Sequence, residues 1–155
     1  MHRFANPANF LRLSTPLTPV LVAIAVMCAA LGLYLGLIVA PVDYQQGAMV
    51  RVMYIHVPAA WLASFFYGIM ALGAASFLIW RHPLAVLAAR EAAPIGAIFT
   101  LICLITGMLW GKPTWGAYWV WDARLTSVLV LFFLYIGYIA LADSMGHDER
   151  GKKLC

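Results

Sequence analysis

The sequence predicts an all-α membrane protein with four transmembrane helices in an up-down bundle. Hydrophobic residues make up 65% of the 155 residues and charged residues only 10%, whereas a soluble domain carries about one quarter charged residues. The charges are also segregated. Asp, Glu, Lys and Arg are absent from four stretches, residues 13–42, 52–80, 92–111 and 125–142. Each stretch is near or above the roughly 18–20 residues that cross a hydrocarbon core about 30 Å thick.

The boundaries of the predicted spans follow from residues that begin or end helices. Pro41 ends the first span, Pro58 falls in the first turn of the second, and Pro94 marks the start of the third. Asp122 immediately precedes the fourth, where a carboxylate caps the first turn and favours the helix dipole. Residues 1–155 are therefore expected to form one transmembrane domain, with spans at about 18–40, 57–80, 92–110 and 125–142.

The distribution of positive charge predicts the orientation, because Lys and Arg are enriched in cytoplasmic loops. With four spans, one face carries seven cations: Arg3, Arg12, Arg81, Arg90, Arg150, Lys152 and Lys153. The opposite face carries three: Arg51, Lys112 and Arg124. We therefore expect both termini to be cytoplasmic and the connection 110–124 to face outward. The net charge of +4 then orients the protein in its membrane, and no basic stripe indicates binding to nucleic acid.

Several chemistries lack the motifs that they require. No glycine-rich phosphate loop and no nucleophile signature is present. The three cysteines, Cys28, Cys103 and Cys155, form no C-x-x-C pair and no C-x-x-C-H motif, so covalent attachment of haem to this chain is not expected. We predict no catalytic residue.

The connection 110–124 contains four of the six tryptophans within twelve residues. One interpretation is an aromatic belt that anchors helix ends at the membrane surface. The other is a platform for a flat apolar ligand, because each aromatic contact contributes roughly 1 kcal/mol beyond simple burial. If the segment is helical, Trp115, Tyr118, Trp119 and Asp122 share one face, which suits a planar macrocycle. The spacing alone leaves both interpretations open.

His56 is the candidate metal ligand, because it stands at the mouth of the second span on the expected outer face. Imidazole is a common axial ligand of haem iron, although an interfacial histidine bonded to water or a carbonyl group is the alternative. Arg124 and Arg51 are candidates to pair with an acidic ligand group such as a propionate, and solvated interface cations are the alternative. The outer segments that follow the first and third spans emerge on one membrane face, so they are expected to meet.

Together these motifs resemble a known family. Residues 110–127 are similar to the tryptophan-rich WWD segment of haem-handling proteins. With Asp43-Tyr-Gln-Gln46 and Tyr54-Ile-His-Val-Pro-Ala-Ala60, they closely resemble CcmC, the haem exporter protein C family of bacterial cytochrome c maturation. The resemblance implies a multi-pass inner-membrane protein that binds haem b non-covalently and transiently. The positions that match its haem site are His56, Trp115, Trp119, Trp121 and Asp122, with Trp110 just upstream and Tyr118 where many members have tryptophan.

The resemblance also implies partners and a function. The family passes haem to the periplasmic haem chaperone CcmE, alongside the ABC transporter subunits CcmA and CcmB and the small membrane subunit CcmD. A non-catalytic haem-presenting protein is therefore expected. A subunit or fragment of a cytochrome c haem lyase, and a structural subunit with an aromatic belt, are the alternatives. The family normally has six spans, with a second axial histidine between the last two. We expect this chain to be a C-terminal truncation that lacks both.

Overall fold

The computed structural model describes residues 7–81 and 83–152, and the side chains of 9–81 and 84–144. The architecture consists of four long helices: α1 (Pro7–Tyr34), α2 (Met53–Trp80), α3 (Pro83–Trp115) and α4 (Ala123–Lys152). Each contains a segment long and apolar enough to cross a membrane. The described part of the chain contains no strand, only an isolated bridge between Asp43 and Gly47. The prediction of an all-α polytopic membrane protein is confirmed.

The helices are longer than the predicted spans, and prolines lie inside three of them. Pro16 and Pro19 are in α1, Pro58 is in α2 and Pro94 is in α3. A transmembrane helix tolerates proline because the disruption of its hydrogen bonds is local and neighbouring groups compensate. The 33 residues of α3 extend about 50 Å, well beyond a core of about 30 Å. α3 is therefore longer than an untilted helix needs to cross the hydrocarbon core.

Contacts between helix ends establish the up-down arrangement. Gly36, near the end of the first span, packs against the start of α2. Gly73, near the end of α2, packs against Ala85 at the start of α3. Arg90 Nη2, early in α3, lies 3.1 Å from Asp143 Oδ1, late in α4. Consecutive helices therefore run in opposite directions, and the first and third connections lie at the same end of the bundle.

Small residues allow close packing at the centre of the bundle, where α2 and α3 form the most extensive helix pair. The phenol of Tyr135 from α4 fills the space left by Gly96 of α3. Its hydroxyl donates a hydrogen bond to the carbonyl of Ala63 in α2 at 2.7 Å, and the residue is 1% exposed. Tyr135 thus joins three helices. By contrast, α1 makes few contacts with the other helices, and Gly36, just after α1, packs against Tyr54 of α2.

The first connection is ordered by backbone bonds and one arginine. A π-helical turn at Leu35–Val39 is followed by a 3-10 helix at Ala48–Val52. Arg51 Nη2 donates to the carbonyl of Ala40 at 2.9 Å, which ties the two together.

The cytoplasmic location of the termini stays a prediction. Of the cations used to predict it, Arg3 and Lys153 lie outside the described residues, as do the side chains of Arg150 and Lys152.

Candidate functional site

A cavity of about 460 Å³ opens at the end of the bundle where α2 and α4 begin and α3 ends. Its volume lies within the roughly 300–1,000 Å³ of small-molecule sites. Four of the predicted site residues on α3 and α4 and in the connection between them contribute to it, and so does the predicted metal ligand on α2. The lining comprises Gln46, His56, Ala60, Cys103, Leu104, Gly107, Trp110, Thr114, Trp115, Asp122, Arg124, Leu125 and Val128.

His56 lies in the first turn of α2, half-buried against α3. The sequence had placed it just before the helix. Its Nδ1 is 2.9 Å from the hydroxyl oxygen of Thr106. Gly107 leaves room for the ring, since a Cβ there would stand 3.2 Å from the imidazole Cε1. Trp110 meets the imidazole edge to face, with ring centroids 5.8 Å apart. The imidazole is therefore fixed by α3 in the wall of the cavity.

Trp110 connects the cavity to the first connection, because its indole Nε1 donates to Gln46 Oε1 at 2.8 Å. The backbone N–H groups of Gln45 and Gln46 each donate to Asp43 Oδ1 at 2.8 Å. This Asx turn fixes the position of Gln46. The expectation that both connections meet at one end of the bundle is confirmed by this contact.

The end of α3 explains why the aromatic segment is not one continuous helix. Gly116 has φ +75°, the left-handed conformation with which glycine commonly terminates a helix. Its N–H donates to the Lys112 carbonyl at 3.0 Å, and Lys112 Nζ donates back to the Gly116 carbonyl at 3.0 Å. The Lys112 ammonium also lies 5.2 Å from the centre of the Tyr118 ring. Lys112 therefore stabilises the helix end.

Asp122 and Arg124 form one rim of the cavity with Trp115. Asp122 Oδ1 accepts the Leu125 N–H at 2.9 Å, which confirms the predicted cap of α4. Its Oδ2 accepts from Arg124 Nε at 3.0 Å and Nη2 at 2.8 Å. The guanidinium carbon lies 4.8 Å from the centre of the Trp115 ring. The Leu125 amide, and then the Arg124 guanidinium, hold the pKa of the Asp122 carboxyl below its ordinary value.

The structure does not bring all predicted residues together. Because residues 116–122 are not helical, the expected shared face of Trp115, Tyr118, Trp119 and Asp122 does not form. Four predicted site residues lie outside the cavity lining: Arg51, Tyr118, Trp119 and Trp121. Trp119 and Trp121 pack edge to face, with centroids 5.2 Å apart. Contact of these four residues with a ligand stays a prediction.

Other residues in or beside the cavity were not predicted from the sequence. Thr106 and Gly107, which hold the imidazole, are the most important. A signal for part of this wall was present, because residues 103, 107, 110 and 114 follow one another at helical spacings of four, three and four. Small and polar residues on one stripe of a transmembrane helix are typical of a packed or functional face. The sequence did not indicate that this stripe of α3 packs against His56 of α2.

The residues of the cavity suit a ligand in which the metal ion is already coordinated, rather than a bare metal ion. Across the described residues, no group of three or more His, Cys, Asp or Glu side chains is placed to hold a bare metal ion. A single imidazole beside indole rings suits a planar metal macrocycle, which needs only axial ligands from the protein. The chain is thus a multi-pass helical membrane protein with an aromatic pocket at one end of its bundle.

Comparison with known proteins gives the family. The family model for Heme exporter protein C matches residues 1–155, and the chain belongs to this family. It is 56% identical over 149 residues to Heme exporter protein C of Bradyrhizobium diazoefficiens, covering 96% of this chain and 56% of the relative. It is 48% identical over 150 residues to that of Escherichia coli K12, covering 97% and 60%. A putative cytochrome c biosynthesis ccmC-like mitochondrial protein of Marchantia polymorpha is 49% identical over 138 residues, with 89% and 60% covered. The chain thus spans a little over half the length of these curated relatives.

Proposed function

We propose that the chain binds haem in the cavity beside His56 and holds it for export during cytochrome c biogenesis. One observation carries the proposal: His56 is fixed in the cavity wall with one ring nitrogen hydrogen-bonded and Trp110 packed against it. A histidine ligand is usually oriented in this way by a bond to its other nitrogen. The names of the relatives, which refer to haem export and cytochrome c biosynthesis, support the same function.

Each element of the cavity has a role in this proposal. His56 ligates the iron, while Trp110 and Trp115 pack against the porphyrin. The mainly apolar helix surfaces between them exclude water from the macrocycle. Arg124 binds a propionate at the open rim, where its side chain is 73% exposed. Haem is cargo that is held non-covalently, and the chain contributes binding and orientation rather than catalysis.

The proposed setting is the bacterial inner membrane, with the cavity on the outer side. The greater number of cations that the sequence predicts for the opposite face supports this orientation. An outward cavity would allow transfer to the periplasmic haem chaperone CcmE. The ABC subunits CcmA and CcmB and the small subunit CcmD would be its membrane partners, as the family resemblance implies.

Haem titration of the full chain in lipid nanodiscs tests the proposal. We expect His56→Ala and Trp110→Ala each to weaken binding, as followed by haem absorbance. Trp61→Ala is the matched control, because Trp61 lies on α2, the helix that carries His56, but is 75% exposed and outside the cavity lining. Equal haem binding by wild type and both cavity variants would contradict the proposal. That result would favour a purely structural aromatic belt.

A further inference from the structure

The hydrogen bonds of Thr106 determine which nitrogen of His56 carries the proton. Thr106 Oγ1 lies 2.7 Å from the Ile102 carbonyl, 3.2 Å from the Cys103 carbonyl and 2.9 Å from His56 Nδ1. A hydroxyl has one hydrogen to donate, and a carbonyl oxygen can only accept. The shortest contact, to Ile102, is the usual back-bond of a threonine inside a helix. The hydroxyl proton is therefore directed to the carbonyl groups.

The same balance of hydrogen-bond donors and acceptors determines which nitrogen of the imidazole is protonated. With its proton directed to a carbonyl, the Thr106 oxygen acts as an acceptor towards His56. Nδ1 must then carry a hydrogen and donate it. In a neutral imidazole only one nitrogen is protonated, so Nε2 retains its lone pair. Nε2 is the nitrogen able to ligate iron.

We propose that Thr106 is a positioning residue that holds His56 as the Nδ1–H tautomer and thereby presents Nε2 to the iron of bound haem. This role rests on the proposed function, and Thr106 lies outside the segments 43–46, 54–60 and 110–127 that carry the family resemblance. Gly107 also restrains the ring, because it brings the α3 backbone close to the imidazole Cε1. Thr106 and Gly107 thus fix the proton and the position of the imidazole together.

A second group near Nδ1 is the thiol of Cys103, with its sulfur 4.0 Å away. That distance is at the limit for a sulfur hydrogen bond, whereas the Thr106 oxygen is at 2.9 Å. Thiol hydrogen bonds are also weak. We therefore expect Cys103→Ala to leave the tautomer unchanged, which separates the two neighbours experimentally.

Thr100 provides a matched control on the same helix. It is fully buried, and its hydroxyl donates to the carbonyl four residues earlier, Gly96, at 2.7 Å. It does not line the cavity. Thr100→Val therefore removes an equivalent buried hydroxyl from α3 without altering the environment of the imidazole.

The first measurement is nitrogen NMR of the haem-free full chain, labelled with ¹⁵N-histidine in nanodiscs above about pH 8, where histidines are neutral. The His56 signals are assigned by their loss in His56→Gln. We expect a protonated Nδ1 and an unprotonated Nε2 in wild type, Thr106→Ser, Thr100→Val and Cys103→Ala. Thr106→Val should lose this preference. A wild-type Nε2–H tautomer, or an unchanged tautomer in Thr106→Val, would overturn the proposal.

The second measurement is haem affinity in the same samples. Loss of the group that orients a ligating histidine typically weakens metal binding about 10- to 100-fold, and we expect a loss of this size in Thr106→Val. Thr106→Ser should restore the affinity, and Thr100→Val should keep it. Unchanged affinity in Thr106→Val despite an altered tautomer would overturn the positioning role alone. Absence of haem binding by wild type, with the expected tautomer present, would instead refute the proposed function and with it that role.

Discussion

Replacement of Arg124 by glutamine should weaken haem binding through the propionate groups while leaving the helix bundle folded. Arg124 bonds to Asp122 Oδ2 through Nε and Nη2. A guanidinium has five N–H groups, so the Nη1 pair remains to bind a ligand carboxylate at the rim of the cavity.

The expected effects of Arg124→Gln on stability and on haem affinity follow from the exposure of the Arg124 side chain. The Arg124 side chain is 73% exposed, and exposed ion pairs contribute about 0–1 kcal/mol. The fold should therefore lose little. A propionate bond at this position is worth on the order of 1 kcal/mol, which corresponds to a roughly fivefold increase in the Kd for haem.

The assay compares haem with its dimethyl ester, which lacks the carboxylate charges, in nanodiscs that contain the full chain. Arg124→Gln should weaken binding of haem more than binding of the ester. The variant also removes the cation above Trp115, and that loss would affect both ligands alike. Lys112→Gln is the control cation, because Lys112 bonds to the Gly116 carbonyl outside the cavity lining. Equal weakening of both ligands, or of neither, would refute the propionate role of Arg124.

Two further predictions concern stability. Because the folded-state pKa of Asp122 is lowered, its carboxylate should stabilise the fold above its unfolded pKa of about 4 and lose that contribution as the pH falls through the folded value. Asp122→Asn keeps the cap, so the difference in unfolding free energy between wild type and variant should shrink in acid; a constant difference would contradict this. Gly96→Ala should destabilise the protein by about 1–3 kcal/mol in thermal unfolding, because the new methyl meets the buried Tyr135 ring. Gly137→Ala, which has open space around it, is the control and should be neutral or stabilising.

The general architecture was predictable because it depends on composition and on the alternation of helix direction. Segregated charges located four apolar helices, and an up-down order requires the first and third connections to share one end. The bond between Gln46 and Trp110 is a direct result of that order. The Asp122 cap was predictable as well, since it involves only residues three positions apart.

The details of the pocket were harder to predict from the sequence. Residues 110–115 proved helical and 116–122 did not, because the left-handed Gly116 ends α3 in the middle of the tryptophan cluster. This separates Trp115 from Tyr118 and Trp119. The roles of Thr106 and Gly107 depend on the register between α2 and α3, which is set by packing across fifty residues of sequence. Local sequence patterns therefore do not predict that register.

The central claim is that the imidazole of His56 ligates haem iron in this cavity. Pulsed electron paramagnetic resonance of the haem-loaded full chain, labelled with ¹⁵N-histidine, detects nitrogen bound to low-spin iron. We predict a histidine coupling in wild type that disappears in His56→Gln. A coupling that persists in His56→Gln, or a wild-type complex with haem bound but without histidine coupling, would contradict the account.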